Sequence, residues 1–158
     1  MNWQEVCDSP SLKNLPFKIE LDEYGRIIMS PAKVYHSAIQ GEIEYLLRSL
    51  LKTGKTLPEC AIATRKGTKV ADVAWVSPER FQIVKREVEC SVAPEICVEV
   101  VSASHSRQEM AEKAALYFEA GAEEVWVCDE AGRVVFWDRA GELRASRRAP
   151  DFPARIEV

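Results

Sequence analysis

Residues 95–101, EICVEVV, run almost without a break in apolar side chains, and Glu99 stands in the middle of them. The same happens over 69–76, KVADVAWV, where Asp72 interrupts small and apolar residues. Both runs have strand character. Burying an ionised carboxylate without partners costs several kcal/mol or forces a large pKa shift, so each must find a cation, a metal or water at the end of a sheet. For either residue alone, a solvent-facing strand end or an arginine partner is an open alternative. Any fold of this chain has to resolve these two charges.

The elements around them follow from periodicity and turn chemistry. Residues 1–16, with Pro10 and Pro16, read as an irregular lead-in or a short helix. FKIELDEYGRIIMSP predicts a hairpin of strands Lys18–Leu21 and Arg26–Met29, turned at Asp22–Gly25 and ended by Pro31. From Lys33 to Leu51, Ile39, Ile43, Leu46, Leu47, Leu50 and Leu51 recur at helical spacing until Gly54. Strands are expected over Glu59–Thr64, Lys69–Val76 and Ile96–Val101, with a short helix after the Ser77-Pro78 cap. The Ser106–Glu109 capping box opens a second long helix that stops at Gly121. VWVCDEAGRVVFWDRAGELRAS then supplies three strands turned around Gly132 and Gly141. This order predicts an α/β sandwich around a mixed central sheet, with an N-terminal hairpin and a C-terminal β extension.

Cation candidates lie on the two helices. Lys113 sits at the edge of the stripe Met110, Ala114, Tyr117. Either it snorkels to water or, with the helix returning over the Glu99 strand, it serves both carboxylates. His36 and Gln40, four apart, give the first helix a polar end, which suits a cleft lining or a hydrogen-bonded histidine at a helix start. Ser102, Ser104 and Ser106 are caps and turn formers, or hydroxyls that hold phosphate at a helix start. Two carboxylates on neighbouring strands plus a lysine suit metal-assisted phosphodiester hydrolysis, with Mg²⁺ or Mn²⁺ on hard oxygen ligands.

Composition sets the bounds. The 158 residues, 47% hydrophobic, are enough to bury one core as a single domain over 1–158. Five cysteines without a CxxC pair, beside two histidines, read as reduced cytosolic thiols, with Cys97 and Cys128 filling strand cores. No apolar run approaches the roughly 18 residues of a membrane span, and the start MNWQEVCDSP lacks a signal-peptide pattern, so a cytoplasmic protein with no membrane association is expected. The net charge of −4 and pI near 5.4 argue against a bulk polycation. Charge is nonetheless uneven: Lys52–Lys69 holds five bases against one acid, and Arg133–Arg155 six arginines against three acids.

Taken in order, several blocks resemble the Uma family, a bacterial branch of the PD-(D/E)XK nuclease superfamily. They are Ile28-Met29-Ser30-Pro31 followed by His36, the Asp72 strand ADVAWV, PEICVEVVSAS around Glu99, and KAALYFEAGAEEVWVCD with Lys113, Tyr117, Gly121, Trp126 and Asp129. The resemblance implies a restriction-endonuclease-like αβββαβ core, with Asp72 and Glu99 as metal ligands and the Val100 carbonyl as a third. The superfamily lysine stands two residues after the glutamate, where this chain has Val101, and the match moves to Lys113 on the following helix. His36 also matches a family position, and Gln40 lies where related nucleases carry a polar residue facing the metal. Ala71 and Ala122 depart from the family's usual proline and valine.

The leading expectation is a Mg²⁺-dependent endonuclease acting on DNA as a homodimer. Both basic stretches would flank the cleft, with Arg65, Lys66 and Lys69 contacting phosphates. The alternatives are a non-catalytic interaction protein that keeps the fold, or a nuclease acting on RNA or repair intermediates. The four tryptophans are expected in the core or on sheet faces.

Overall fold

The computed structural model describes residues 1–103 and 105–158. Its centre is a six-stranded mixed sheet in the order β3-β4-β5-β6-β7-β8. These strands are Lys55–Thr64, Gly67–Val76, Ile96–Val100, Glu124–Cys128, Val134–Asp138 and Gly141–Leu143. Every neighbouring pair is antiparallel except β5 and β6, which are parallel and joined through helix α4, Arg107–Glu119. A parallel pair needs such a crossover, which places a helix on one face of the sheet. Helix α2, Val34–Leu50, precedes β3, so the order α2-β3-β4-β5-α4-β6 is the expected αβββαβ core, with a short α3, Pro78–Val84, between β4 and β5.

Strand alternation sorts the sheet's residues into two cores. Val73, Trp75, Ile96, Val98 and Trp126 pack against Ile39, Ile43 and Leu47 of α2. On the other face Ala74, Val76, Cys97 and Val125 pack against Ala114 and Tyr117 of α4. Cys97 and Cys128 fill core positions as expected, and so do Trp75 and Trp126.

The lead-in takes the short-helix alternative as α1, Trp3–Asp8, with a capping box between Asn2 and Glu5, followed by a 3₁₀ turn over Pro10–Leu12. The third strand of the chain differs from the sequence expectation. β3 begins four residues earlier than expected and carries Pro58, which an edge strand tolerates because it has one unpaired side. Within it Glu59 takes a φ of 48°, and the ladder steps from Pro58–Val73 to Cys60–Ala71 without pairing Glu59 to Asp72.

The hairpin of β1, Phe17–Leu21, and β2, Ile27–Pro31, forms a separate two-stranded sheet laid against the start of β4. Gly67 allows this approach: with φ of 88°, a Cβ there would collide with the Leu21 and Asp22 carbonyls. Lys69 Nζ donates to the Leu21 carbonyl and ties the two sheets together. Ser106 caps α4, accepting from the Glu109 N–H at 3.0 Å; Ser104 lies outside the described residues. No described helix is long and apolar enough to cross a membrane.

Candidate functional site

β4 and β5 pair through Trp75–Ile96, Ala74–Cys97 and Val73–Val98, and there the ladder ends. One step further in the same register are Asp72 and Glu99, face to face where the two strands part. Like charges directly opposite across strands repel, so this placement needs a cation between them. Lys18 supplies it from β1: its Nζ is 3.2 Å from Asp72 Oδ1 and 3.1 Å from Glu99 Oε2.

The remaining carboxylate oxygens are held by other donors. Asp72 Oδ2 accepts the Val100 N–H at 2.7 Å and lies 3.6 Å from His36 Nε2. Glu99 Oε1 accepts the Tyr117 hydroxyl at 2.6 Å and lies 3.0 Å from Lys113 Nζ. Lys113 in turn is 2.8 Å from Glu20 Oε2, which also accepts the Val70 N–H at 2.7 Å. Acids and ammoniums therefore alternate through space as Asp72, Lys18, Glu99, Lys113, Glu20. Three carboxylates share two lysines, with His36 at one end.

This electrostatic setting shifts several groups. Burial pushes the Asp72 carboxyl up, but the neighbouring His36 imidazole, the Lys18 charge and the Val100 N–H outweigh it and hold it below the usual carboxylate range. Burial works against the charge on Lys18 as well, and Glu99, Asp72 and Glu20 together reverse that and raise it. Glu20 is likewise lowered, its burial overcome by Lys113, Lys18 and the Val70 N–H. Glu99 goes the other way, raised by complete burial and by its acidic neighbours despite both lysines. Burial and the Glu99 charge raise the Tyr117 phenol far above its ordinary value, which keeps it a hydrogen-bond donor. The Asp72 carboxylate beside it raises His36 despite partial burial. His36 Nδ1 is buried without a partner among the described residues.

A cleft of about 1570 Å³ opens over this cluster. The hairpin forms one wall, with Phe17 and Met29, and the start of α4 forms another. Arg65, Lys66 and Lys69 line the same cleft as Asp72 and Glu99.

The family described as "Uma2: Putative restriction endonuclease" matches residues 3–154. The chain belongs to this family. Its fold is shared by a solved structure described as a putative nuclease belonging to DUF820 from Anabaena variabilis, with a TM-score of 0.74 and 19% sequence identity. That likeness covers 98% of this chain and 94% of the other. No curated protein matches the sequence significantly.

Set against this Uma2 fold, the sequence expectations for single residues divide. Asp72, Glu99, Lys113 and His36 come together, and the Val100 backbone joins them through its N–H on Asp72. Lys113 does bridge two carboxylates, but the second is Glu20, because Lys18 already stands between Asp72 and Glu99. Ser102 lines the cleft, with its N–H donating to His105 Nδ1 at 3.1 Å. Gln40, one helical turn beyond His36, is half-buried on α2 and is not among the residues lining the cleft. Nor does the stretch Arg133–Arg155 flank it. That stretch lies on β7, β8 and the tail, beyond β6, where Arg147 pairs with Asp138 and Arg148 with Glu123. Lys52 and Lys55 are also outside the cleft.

Two site residues escaped the sequence reading, Lys18 and Glu20. They stand two apart in the strand FKIEL and so share one face. That face turns into the site through the docking of the hairpin on β4.

The donor set suits a hard divalent cation. Asp72 Oδ1 and Glu99 Oε2 already converge on one cationic atom, and both are carboxylate oxygens of the kind Mg²⁺ and Mn²⁺ prefer. Among the described residues no group of three or more His, Cys, Asp and Glu side chains is arranged to hold a metal, so the set is a two-carboxylate one. Mg²⁺ typically takes one or two carboxylates and fills its remaining positions with water and substrate phosphate.

Proposed function

We propose that residues 1–158 form one nuclease domain that hydrolyses phosphodiester bonds of DNA with Mg²⁺ or Mn²⁺, working as a cytoplasmic homodimer so that two sites cut two strands. The observation that carries this reading is the convergence of the two opposed carboxylates, Asp72 and Glu99, on a single cationic point at the floor of a cleft that also holds Arg65, Lys66 and Lys69. Membership of the Uma2 family supports it.

Asp72 and Glu99 would hold the cation, with the Val100 carbonyl as a third oxygen. When bound, the cation polarises the phosphoryl group and offsets the charge that grows on it. The chain's own groups do the rest. The Val100 N–H and the Tyr117 hydroxyl fix the orientation of the two carboxylates, so that little reorganisation is needed as charge develops. Lys113, next to Glu99, presents an ammonium to the non-bridging oxygens or to the attacking water. Arg65, Lys66 and Lys69 draw the phosphate backbone into the cleft, a contribution that weakens as salt is added. Ser102 lines the cleft ahead of α4, where a hydroxyl can accompany a phosphate.

A second reading has one observation in its favour: every carboxylate of the cluster already has an ammonium partner, as in a purely structural ion network. It makes the protein a non-catalytic interaction module. Incubation of plasmid DNA, single-stranded DNA and RNA with the protein in Mg²⁺, in Mn²⁺ and in chelator separates the two. Metal-dependent cleavage that Glu99→Gln abolishes is the expected result. Intact substrates in every condition favour the interaction module, and cleavage confined to RNA moves the substrate class.

A further inference from the structure

We propose that Lys18 is the chain's own competitor for the divalent cation: its ammonium holds the point between Asp72 and Glu99, so metal enters as Lys18 leaves, and this residue sets the site's metal affinity. The proposal rests on the metal reading above and adds to it a residue on an element outside the αβββαβ core.

Four observations lead there. The carboxylate oxygens that face Lys18, Asp72 Oδ1 and Glu99 Oε2, are the ones left over after Val100, Tyr117 and Lys113 have engaged the others. A Mg²⁺ ion needs carboxylate oxygens at roughly 2.0–2.1 Å, so it and an ammonium cannot share that point. Charge favours the exchange when His36 is neutral, because three carboxylates around two ammoniums then carry a surplus negative charge that a divalent ion in place of Lys18 removes. Finally, Lys18 has a way out. It belongs to the two-stranded sheet, not to the six-stranded ladder, its flexible four-carbon stem lines the cleft, and its side chain is 14% exposed. Once displaced, its ammonium faces the space where substrate phosphates lie.

The test is Mn²⁺ titration by calorimetry of the full chain, comparing wild type with Lys18→Gln and Lys18→Met, after circular dichroism has checked folding. Tighter binding by about tenfold or more in the variants is expected, because a competing charge within 4 Å has been removed. Equal or weaker binding overturns the proposal while leaving the metal reading intact. Absence of binding in wild type and variants alike overturns both, and binding gained only in the variants supports the proposal. Should the variants not fold, amine acylation of the wild type read by mass spectrometry serves instead. Addition of Mn²⁺ should raise the labelling of Lys18 several-fold while Lys66 stays constant; an unchanged or reduced Lys18 signal overturns the proposal.

Discussion

Buried carboxylates lie beside both ends of β5, and the two ends are satisfied in different ways. At the start, Glu124 faces Ile96 across the β5–β6 pair, and Glu95 precedes the strand. Glu124 accepts the Trp126 indole N–H at 3.0 Å and the backbone N–H groups of Arg147 and Arg148 at 3.2 and 3.1 Å. Glu95 accepts the Ser77 N–H at 3.0 Å and lies 3.6 Å from Arg80 Nε, whose guanidinium is itself locked onto the Ala93 and Gly121 carbonyls. These donors are backbone N–H groups, one buried indole and a guanidinium tied to two carbonyls. The recess beside them is about 340 Å³. At the far end, Glu99 and Asp72 meet two lysine ammoniums on flexible stems beneath a cleft more than four times larger. Burial of charge alone does not mark a functional site. On the reading proposed above, what marks it is burial satisfied by groups that can be exchanged.

The largest expected effect lies at the cleft end. Glu99→Gln should lower metal-dependent cleavage by on the order of 10²–10³-fold, the usual cost of losing a preorganised charge at the reacting centre, and a steady-state cleavage assay checks it. The opposite end should behave in reverse. Glu124→Ala strands three donors, the buried Trp126 indole and two part-buried backbone N–H groups, and should destabilise the fold by about 2–4 kcal/mol in urea denaturation, leaving cleavage per folded molecule unchanged. If Glu124→Ala abolished cleavage without loss of stability, the division between the two ends would break.

Smaller effects sharpen the picture. Tyr117→Phe removes one hydrogen bond from Glu99 and should cost about 1–2 kcal/mol of stability together with a drop in cleavage of roughly tenfold. The pH dependence tests His36, which the adjacent Asp72 carboxylate raises above the ordinary 6.5. A raised folded-state pKa gives stability that is fully present below the unfolded value and is lost as pH rises through the folded one. Asp72, held below the usual carboxylate range, stays ionised across that window. In chelator, therefore, the melting temperature of wild type should exceed that of His36→Gln by more at about pH 5.5 than at about pH 8.5. The least effect belongs to exposed Lys66. Lys66→Ala should weaken DNA binding a few-fold and reduce the slope of log affinity against log salt by about one.

Much of this arrangement is readable from the sequence, for identifiable reasons. α2 and α4 have long helical stripes, and Asp72 and Glu99 stand out because each breaks an apolar strand. Their face-to-face position depends on the register of β4 and β5, which no local pattern encodes. Lys18 and Glu20 were hidden because charges alternating in a short hairpin look the same whether the face meets water or a site. Glu124 sits at a strand end, where an acid draws no attention, and two of its three partners come from Arg147 and Arg148, far along the chain. The arginine-rich tail was misplaced for a related reason: composition counts charges but not the acids, such as Asp138 and Glu123, that fold onto them.

The most direct test of the contrast between the two ends is Mn²⁺ binding measured by electron paramagnetic resonance on wild type, Asp72→Asn, Glu99→Gln and Glu124→Gln, each confirmed folded. Binding in wild type and Glu124→Gln, and its loss in Asp72→Asn and Glu99→Gln, is the predicted result. A wild type that binds no Mn²⁺, or binding that survives in Asp72→Asn and Glu99→Gln, would contradict the account.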